Sequence, residues 1–416
     1  MPGCGRKARV RAPPYRPIVL RRLLCAYLAF RIAEFGVWIG LAAAAYTFGG
    51  VREATVVMLV QLVPAALVAS RMSEAIRCHG ATMVIRIGLS TQAAGMVWCA
   101  AWLATNPAGS ARLAGYAGAV VAAVAVTATR PAMACLLPRL VRDDTALARA
   151  NGAVGAADGI GMLLGPAVAA VLLAGSGVAA VFATMAALNG VGALLTAGLP
   201  AGIACPPTAT AHRSLADDFR LVLASPSARV VTGLLAMVSL LIGALDLAFV
   251  VTAVDILHLS ASAAAWLNAA FGVGMVLGGV LFGAARRSGF ARWIVSGLAA
   301  WAVLLLALSV NESVWIAAAM LAGGGIGAAC AEVAGRTLLQ RIAGHERLGE
   351  AFSIVESTQM AALAVGTLTV GSAVQEFGPR GALVVPALVL LGVTAATARA
   401  VHRSERYATR SVVQFA

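Results

Sequence analysis

Ten charged residues lie inside stretches of this chain that are otherwise apolar enough to cross a lipid bilayer: Arg31, Glu34, Arg86, Arg130, Asp158, Asp246, Asp255, Glu332, Arg336 and Glu356. A charge at the centre of a membrane helix costs roughly 2.5–3.5 kcal/mol on an insertion scale, so such groups usually face a wet cavity or a partner. Seven of the ten fall in the first, fourth, seventh and tenth apolar stretches. That three-helix rhythm places four helices around one polar centre, the layout of a transport path.

The spacing assigns partners to some of these charges. Arg31 and Glu34 stand i, i+3 on one helix face and can bond within their own span. A carboxyl at that depth is pulled one way by desolvation and the other by the arginine, a balance that suits proton coupling as well as a neutralised packing pair. Arg130 and Asp158 lie at matched depth, roughly 12 Å from the same side at 1.5 Å per residue. They can form a structural bridge, or Arg130 can switch between Asp158 and Glu34. Glu332 and Arg336 are i, i+4 with the acid first, the favourable order for a self-pair. Asp246 has no cationic neighbour on its own helix, which makes it, with Glu34, the second proton-coupling candidate. Asp255 sits near a span end, where water reaches it. Arg86 and Glu356 are expected near span ends on the basic side, where Arg snorkels and Glu meets loop arginines.

These charges need long apolar helices to hold them. The chain has 416 residues, 61% hydrophobic and 12% charged, with a mean hydropathy of +0.89. A soluble protein of this length could not bury that much apolar surface. Apolar runs of about 20 residues, enough to cross about 30 Å of hydrocarbon, recur at 22–48, 54–76, 81–105, 113–138, 150–173, 178–199, 229–257, 262–285, 292–310, 314–340, 349–374 and 381–399. The fold class expected is an all-α membrane protein of twelve transmembrane helices in two pseudo-symmetric six-helix bundles.

The net charge of +14 is topology rather than nucleic-acid binding. If the N-terminus is cytoplasmic, 24 of the 31 basic residues fall on the cytoplasmic side and only Arg52, Arg112 and Arg380 on the other. This bias places both termini in the cytoplasm of a plasma-membrane protein. The seven Cys are scattered without a CxxC pair, so disulfides are not expected, and neither Cys nor His shows metal-ligand spacing. No cofactor, metal or nucleic acid is expected, and the protein is taken as a monomer in the bilayer.

One composition break, 200–228, contains Pro200, Pro206, Pro207 and a charged run. It separates a cytoplasmic tail (1–21) and an N-terminal bundle (22–199) from a C-terminal bundle (229–399) and a second tail (400–416) too short to fold alone. Within the linker, Leu215, Phe219 and Leu223 recur at spacing four, as in a short amphipathic surface helix. The halves look related: Leu136–Leu140 after span four echoes Leu338–Ile342 after span ten, and at the same offset Arg130 faces Glu332. Two repeats with a site between them is a transporter design.

The fifth span contains Gly161-Met-Leu-Leu-Gly165-Pro166-Ala-Val-Ala169-Ala170. It resembles the GxxxGPxxGG antiporter motif of the major facilitator superfamily, with Ala169 and Ala170 in place of the last two glycines. Small residues there let helices approach backbone to backbone, and Pro166 removes a hydrogen bond and permits a bend. The loop after span two is where the family has its GxxxDRxxRR gate motif. Here Ser70 replaces the Gly, Glu74 the Asp and Ala75 the Arg, Arg77 precedes, and Cys78-His79 replace the basic pair. The second-half counterpart keeps Gly279, Gly283 and Arg286-Arg287. Over nearly its whole length the chain resembles this superfamily, and within it the bacterial exporters of drugs and siderophores.

The resemblance implies proton-coupled export of a small hydrophobic or amphipathic molecule by alternating access, with protons and one small-molecule substrate as partners. An uptake permease or lipid flippase would share the fold, and a non-transporting membrane sensor or scaffold is compatible with the degraded gate motif. An enzyme is not expected, because no nucleophile–base pair, metal cluster or phosphate loop stands out.

Overall fold

A computed structural model describes residues 17–69, 71–105, 111–141, 144–199, 220, 225–259, 263–284, 289–343 and 347–415. Within them the chain is almost wholly helical. The helices are α1 (Pro17–Ala69), α2 (Met72–His79), α3 (Ala81–Ala104), α4 (Ala111–Leu140), α5 (Asp144–Ala197), α6 (Pro226–Val251), α7 (Ala263–Ala284), α8 (Phe290–Ser309), α9 (Val314–Ala343), α10 (Leu348–Phe377) and α11 (Gly381–Phe415). A π-helical turn, Thr252–Ile256, extends α6.

Ten of these helices hold the twelve apolar stretches read from the sequence, and three boundaries differ. Stretches one and two share α1, whose backbone stays helical through the residues between them. The second stretch was drawn too long: its end, with the gate loop, forms the separate helix α2, which buries Ser73 and Ile76 and leaves its other face polar. Stretches five and six share α5, which reverses at Gly177 with φ +80° and ψ 179°, a conformation that a side chain rarely adopts. The amphipathic helix expected in the linker and Ser70 of the gate motif lie outside the described residues.

The C-terminal tail, expected to be unable to fold by itself, does not need to. Residues 400–415 contain neither Gly nor Pro, and α11 continues through them to Phe415. Its Glu405 side chain reaches the start of α8. There Gly289 and Phe290 donate their backbone N–H groups to Oε1 at 2.9 and 2.8 Å, and Ala291 donates to Oε2 at 3.2 Å. An acid at a helix N-terminus satisfies otherwise orphaned donors and opposes the helix dipole.

Helices α1, α3, α4 and α5 pack on one another, as do α6 to α11. One apolar cluster around Met96, Cys99, Phe182 and Met185 belongs to the first group alone. A larger one, including Phe30, Leu136, Leu235, Phe271 and Trp301, runs through both groups. The groups meet through α5 with α7 and α9, and through α1, α2 and α4 with α10.

The contacts that join them cluster toward one end, here called the basic end, where α1 starts, α4 ends and α10 begins. Glycine makes the closest of these contacts possible. A Cβ at Gly152 would lie 2.7 Å from the Gly279 carbonyl oxygen, and one at Gly159 would lie 2.5 Å from the Val276 nitrogen. The opposite end carries Asp255, His258, Glu312 and Arg380 around one shallow pocket, with Trp315 fully exposed beside it at 85%.

Replacing Glu405 with Ala should remove a cap worth about 1–2 kcal/mol. In detergent the thermal midpoint should fall by about 2–4 °C, with Glu405→Gln intermediate because one acceptor oxygen survives. A midpoint equal to that of the unaltered protein would show that the tail does not hold α8.

Candidate functional site

Tyr27, Arg31 and Glu34 follow one another at i, i+4 and i+7, so they share a face of α1. That face turns toward α4 and α5. Arg31 pairs with Glu34 on its own helix, and its Nε lies 2.6 Å from Asp158 Oδ1 on α5. The Tyr27 hydroxyl donates to the same Asp158 oxygen at 2.8 Å, so a neutral hydrogen bond supplements the ion pair. The Arg31 guanidinium also stacks 4.6 Å from the centre of the Phe35 ring, which covers one of its faces.

Arg130 extends the chain of charges across the molecule. Its Nη2 donates to Glu34 Oε1 at 2.7 Å, and its Nη1 stands 3.5 Å from Glu356 Oε1 on α10. The order Asp158–Arg31–Glu34–Arg130–Glu356 thus alternates in sign from the first helix group into the second. Glu34, Asp158 and Glu356 are all buried. Arg336 and Glu332 on α9 pair at 2.6 Å. They line, together with Tyr27, Arg130 and Asp158, one cavity of about 20 Å³. A space of that size holds about one water and no substrate.

Beneath this cluster, toward the basic end, lies an uncharged network. Asn151 on α5 donates through Nδ2 to Thr337 Oγ1 at 2.8 Å and to Gln340 Oε1 at 2.7 Å. Gln340 Nε2 in turn donates to the Ala134 carbonyl on α4 at 3.1 Å. All three side chains are buried, and the network ties α4 and α5 to α9. Nearer the end, Arg77 on α2 lies 3.7 Å from Glu350 on α10, while Glu74 is exposed in the first turn of α2.

The backbone seats these groups through small residues. A Cβ at Gly161 would lie 2.8 Å from Arg31 Cβ, and one at Gly165 would lie 2.7 Å from the Ile32 carbonyl oxygen. The antiporter-like segment of α5, Gly161, Gly165 and Pro166, is therefore the surface on which the Arg31–Glu34 turn of α1 rests. Gly279 and Gly283 of the second-half counterpart line the α5–α7 seam instead.

Several sequence expectations meet their geometry here. Arg31 with Glu34 and Glu332 with Arg336 are paired as their spacing suggested. The expected Arg130–Asp158 bridge is replaced: Asp158 is held by Arg31 and Tyr27, and Arg130 by Glu34 and Glu356. Matched depth does not set the rotation of a helix, and the faces of α4 and α5 bring Arg130 to α1 and α10. Glu356 does not reach for loop arginines but joins the centre. Arg86 donates to the carbonyls of Thr196 and Ala197, both at 3.3 Å, and so closes the end of α5. Asp246 lies on α6, and its side chain is outside the described residues. Phe249 and Phe271 are buried against each other.

Tyr27, Asn151, Thr337 and Gln340 were not singled out from the sequence. Tyr27 carried a usable signal in its helical register with Arg31 and Glu34. Asn151 and Gln340 carried a weaker one, as amides in apolar surroundings.

Comparison with known proteins bears on the fold. The sequence model of the Major Facilitator Superfamily matches residues 231–414. No curated protein matches the chain. Among solved structures, the human organic anion transporter MFSD10 (TETRAN) superposes with a TM-score of 0.75 at 15% identity, over 92% of this chain and 99% of that one. A bacterial homologue of the iron transporter ferroportin in an outward-facing state gives 0.75 at 15% identity, with the same coverage. The E. coli fucose:proton symporter FucP gives 0.71 at 13% identity, again over 92% and 99%. The fold is the all-helical fold of these membrane transporters.

Asn151→Ala should leave the buried Gln340 Oε1 without its donor, at about 1–3 kcal/mol for such a group, while Thr337 keeps its bond to the Val333 carbonyl. The expected result is a lower thermal midpoint in detergent, recovered in part by Asn151→Gln. An unchanged midpoint in the Ala variant would mean that the network contributes nothing to holding α4, α5 and α9 together.

Proposed function

We propose that this chain is a secondary active transporter of the major-facilitator type that exports a small amphipathic or hydrophobic molecule in exchange for protons. The observation that carries this reading is the alternating line of buried charges from α5 through α1 and α4 to α10. Carboxylates and guanidiniums inside a membrane are costly. Here the line they form runs from one helix group into the other, and at Arg130–Glu356 a relative movement of the groups would change its pairing. Four carboxyls (Glu34, Asp158, Glu332, Glu356) share the centre with three guanidiniums (Arg31, Arg130, Arg336). With all seven ionised the centre carries one net negative charge, which a single proton would neutralise. An uncompensated charge is disfavoured in a weakly polar surrounding, so proton uptake and charge pairing are coupled by electrostatics alone.

The basic end is assigned to the cytoplasm of the plasma membrane by the distribution of arginine, and both termini go with it. The contacts through Asn151, Arg77 and the α5–α7 glycines then close the path toward the cytoplasm. Substrate would enter a centre opened by rocking the two bundles, 22–199 and 229–399, about the linker 200–228. Glu34 and Asp246 are the carboxyls that alternate between protonated and charged. The export direction rests on the resemblance of Gly161, Gly165 and Pro166 to the antiporter motif; the two glycines also seat α1 against α5 at the level of the cluster. In the degraded gate motif, Arg77 lies 3.7 Å from Glu350 across the groups.

The test uses proteoliposomes loaded with a panel of lipophilic fluorescent compounds and an imposed pH gradient. An inward-directed proton gradient should drive outward movement of at least one compound, and Glu34→Gln should abolish the gradient-driven part. Asp246→Asn should do the same. The reading is wrong if no compound moves in response to the gradient, or if both variants transport as the unaltered protein does.

A further inference from the structure

We infer that Glu356 is the carboxyl whose protonation releases the basic-end closure, with Arg130–Glu356 as the ionic latch between the two helix groups at the level of the charge cluster. The inference deepens the transport reading and rests on it for the meaning of the movement, though not for the movement itself.

The pairings in the cluster fall into two kinds. Arg31–Glu34 and Arg336–Glu332 are made within single helices. Arg31–Asp158 and Arg130–Glu34 join helices of the first group only. None of these need break when one group moves against the other. Arg130–Glu356 joins α4 to α10 and cannot survive their separation.

Glu356 is also the most weakly held acid of the cluster. Its contact with Arg130 is 3.5 Å, at the limit of a hydrogen bond, while Glu34 holds the same guanidinium at 2.7 Å. Arg130 therefore remains paired if Glu356 lets go. Glu356 itself is buried, 3% exposed, so its charge depends on its protein partner. The group that would be left stranded by opening is the carboxylate, and a proton removes that penalty.

Among the described residues, the charges that act on Glu356 are those of the cluster. From α4 it faces Arg130, from α1 Arg31 and Glu34, and from α9 Arg336 and Glu332. On α2, Arg77 is engaged with Glu350 nearer the end, and Glu74 is exposed. Between Arg229 and Asp246 on α6, and before Arg399 on α11, the sequence has no titratable residue.

A native reporter lies beneath the latch. The Cys135 thiol on α4 is fully buried, and its Sγ would lie 3.7 Å from a Cβ placed on Gly349 at the start of α10. Lifting α10 from α4 uncovers it. Cys78, on the exposed side of α2, serves as a control for the effect of pH on thiol reactivity. The experiment uses the full chain in proteoliposomes, with either Cys135 or Cys78 as the only cysteine and the rest changed to Ala. Labelling by N-ethylmaleimide is followed across pH, and the Cys135 rate is divided by the Cys78 rate.

The ratio should rise on acidification, by at most about tenfold per pH unit for release by one proton. In Glu356→Gln it should be high and flat. In Glu356→Asp, which keeps a titratable group, the rise should persist with a shifted midpoint, so the test does not depend on the Gln variant folding. Glu350→Gln should leave the rise intact. The inference is overturned if Glu356→Gln keeps the normal pH rise, if its flat ratio is as low as that of the unaltered protein in alkali, or if Glu356→Asp loses the rise while Glu350→Gln keeps it. Proton-driven transport with a pH response indifferent to Glu356 would sink the latch and leave the transport reading standing. A pH response that depends on Glu356 without movement of any compound would do the reverse.

Discussion

The structure turns on one constraint: an ionised side chain held away from water must have an opposite charge beside it. Arg31 has the least freedom in this respect. It is buried within the first third of α1, so it needs carboxylates from two directions and takes them from Glu34 and Asp158. That choice fixes the rotation of α1 about its axis and its level against α5. Glu34, shared between Arg31 and Arg130, then fixes α4 relative to α1. Arg130 has one remaining edge, and it points out of the first helix group toward α10.

Small residues make this pairing geometrically possible. Ion pairs of 2.6 and 2.7 Å and a hydrogen bond of 2.8 Å between helices need backbones close together. The Gly161–Gly165 surface provides that for α1 on α5, with no side chain between them. The α5–α7 seam does the same between groups, but with a different consequence. Its contacts are backbone against backbone, so it can separate without stranding any polar side chain. The Asn151–Gln340–Ala134 network cannot. Closure at the basic end therefore combines a dispersion contact that opens cheaply with polar contacts that do not.

The long apolar helices were legible because a span of about 20 apolar residues is a property of sequence alone. Pairs inside one helix, Arg31–Glu34 and Glu332–Arg336, were legible for a similar reason: helical geometry fixes i, i+3 and i+4 neighbours. Pairs between helices were not. Counting residues from span ends estimates depth but says nothing of rotation: matched depth suggests an Arg130–Asp158 bridge, with Glu34 as the alternative partner of Arg130, and does not reveal Glu356. The same counting put Glu356 near loop arginines. Depth alone could not reveal that α10 turns its acid inward. The merging of apolar stretches into α1 and the extension of α11 were hidden for another reason: helix ends depend on what caps them, and the partner of Glu405 is more than a hundred residues away.

The charge centre also separates what holds the protein together from what lets it move. Breaking a buried pair by removing one partner leaves an uncompensated charge, at about 3–5 kcal/mol. An opening motion that broke Arg31–Asp158 would leave Arg31 with Glu34 and Asp158 with the Tyr27 hydroxyl as its partner, but both residues lie in the same helix group, so the movement of the groups does not require it. One that breaks Arg130–Glu356 leaves Arg130 paired with Glu34 and strands a single carboxylate. A carboxylate, unlike a guanidinium, can be neutralised by a proton within the physiological range. The cluster is asymmetric in the way a coupled device requires: its permanent cations are each held by an acid that travels with them, and its ion pair across the groups, Arg130–Glu356, terminates in an acid.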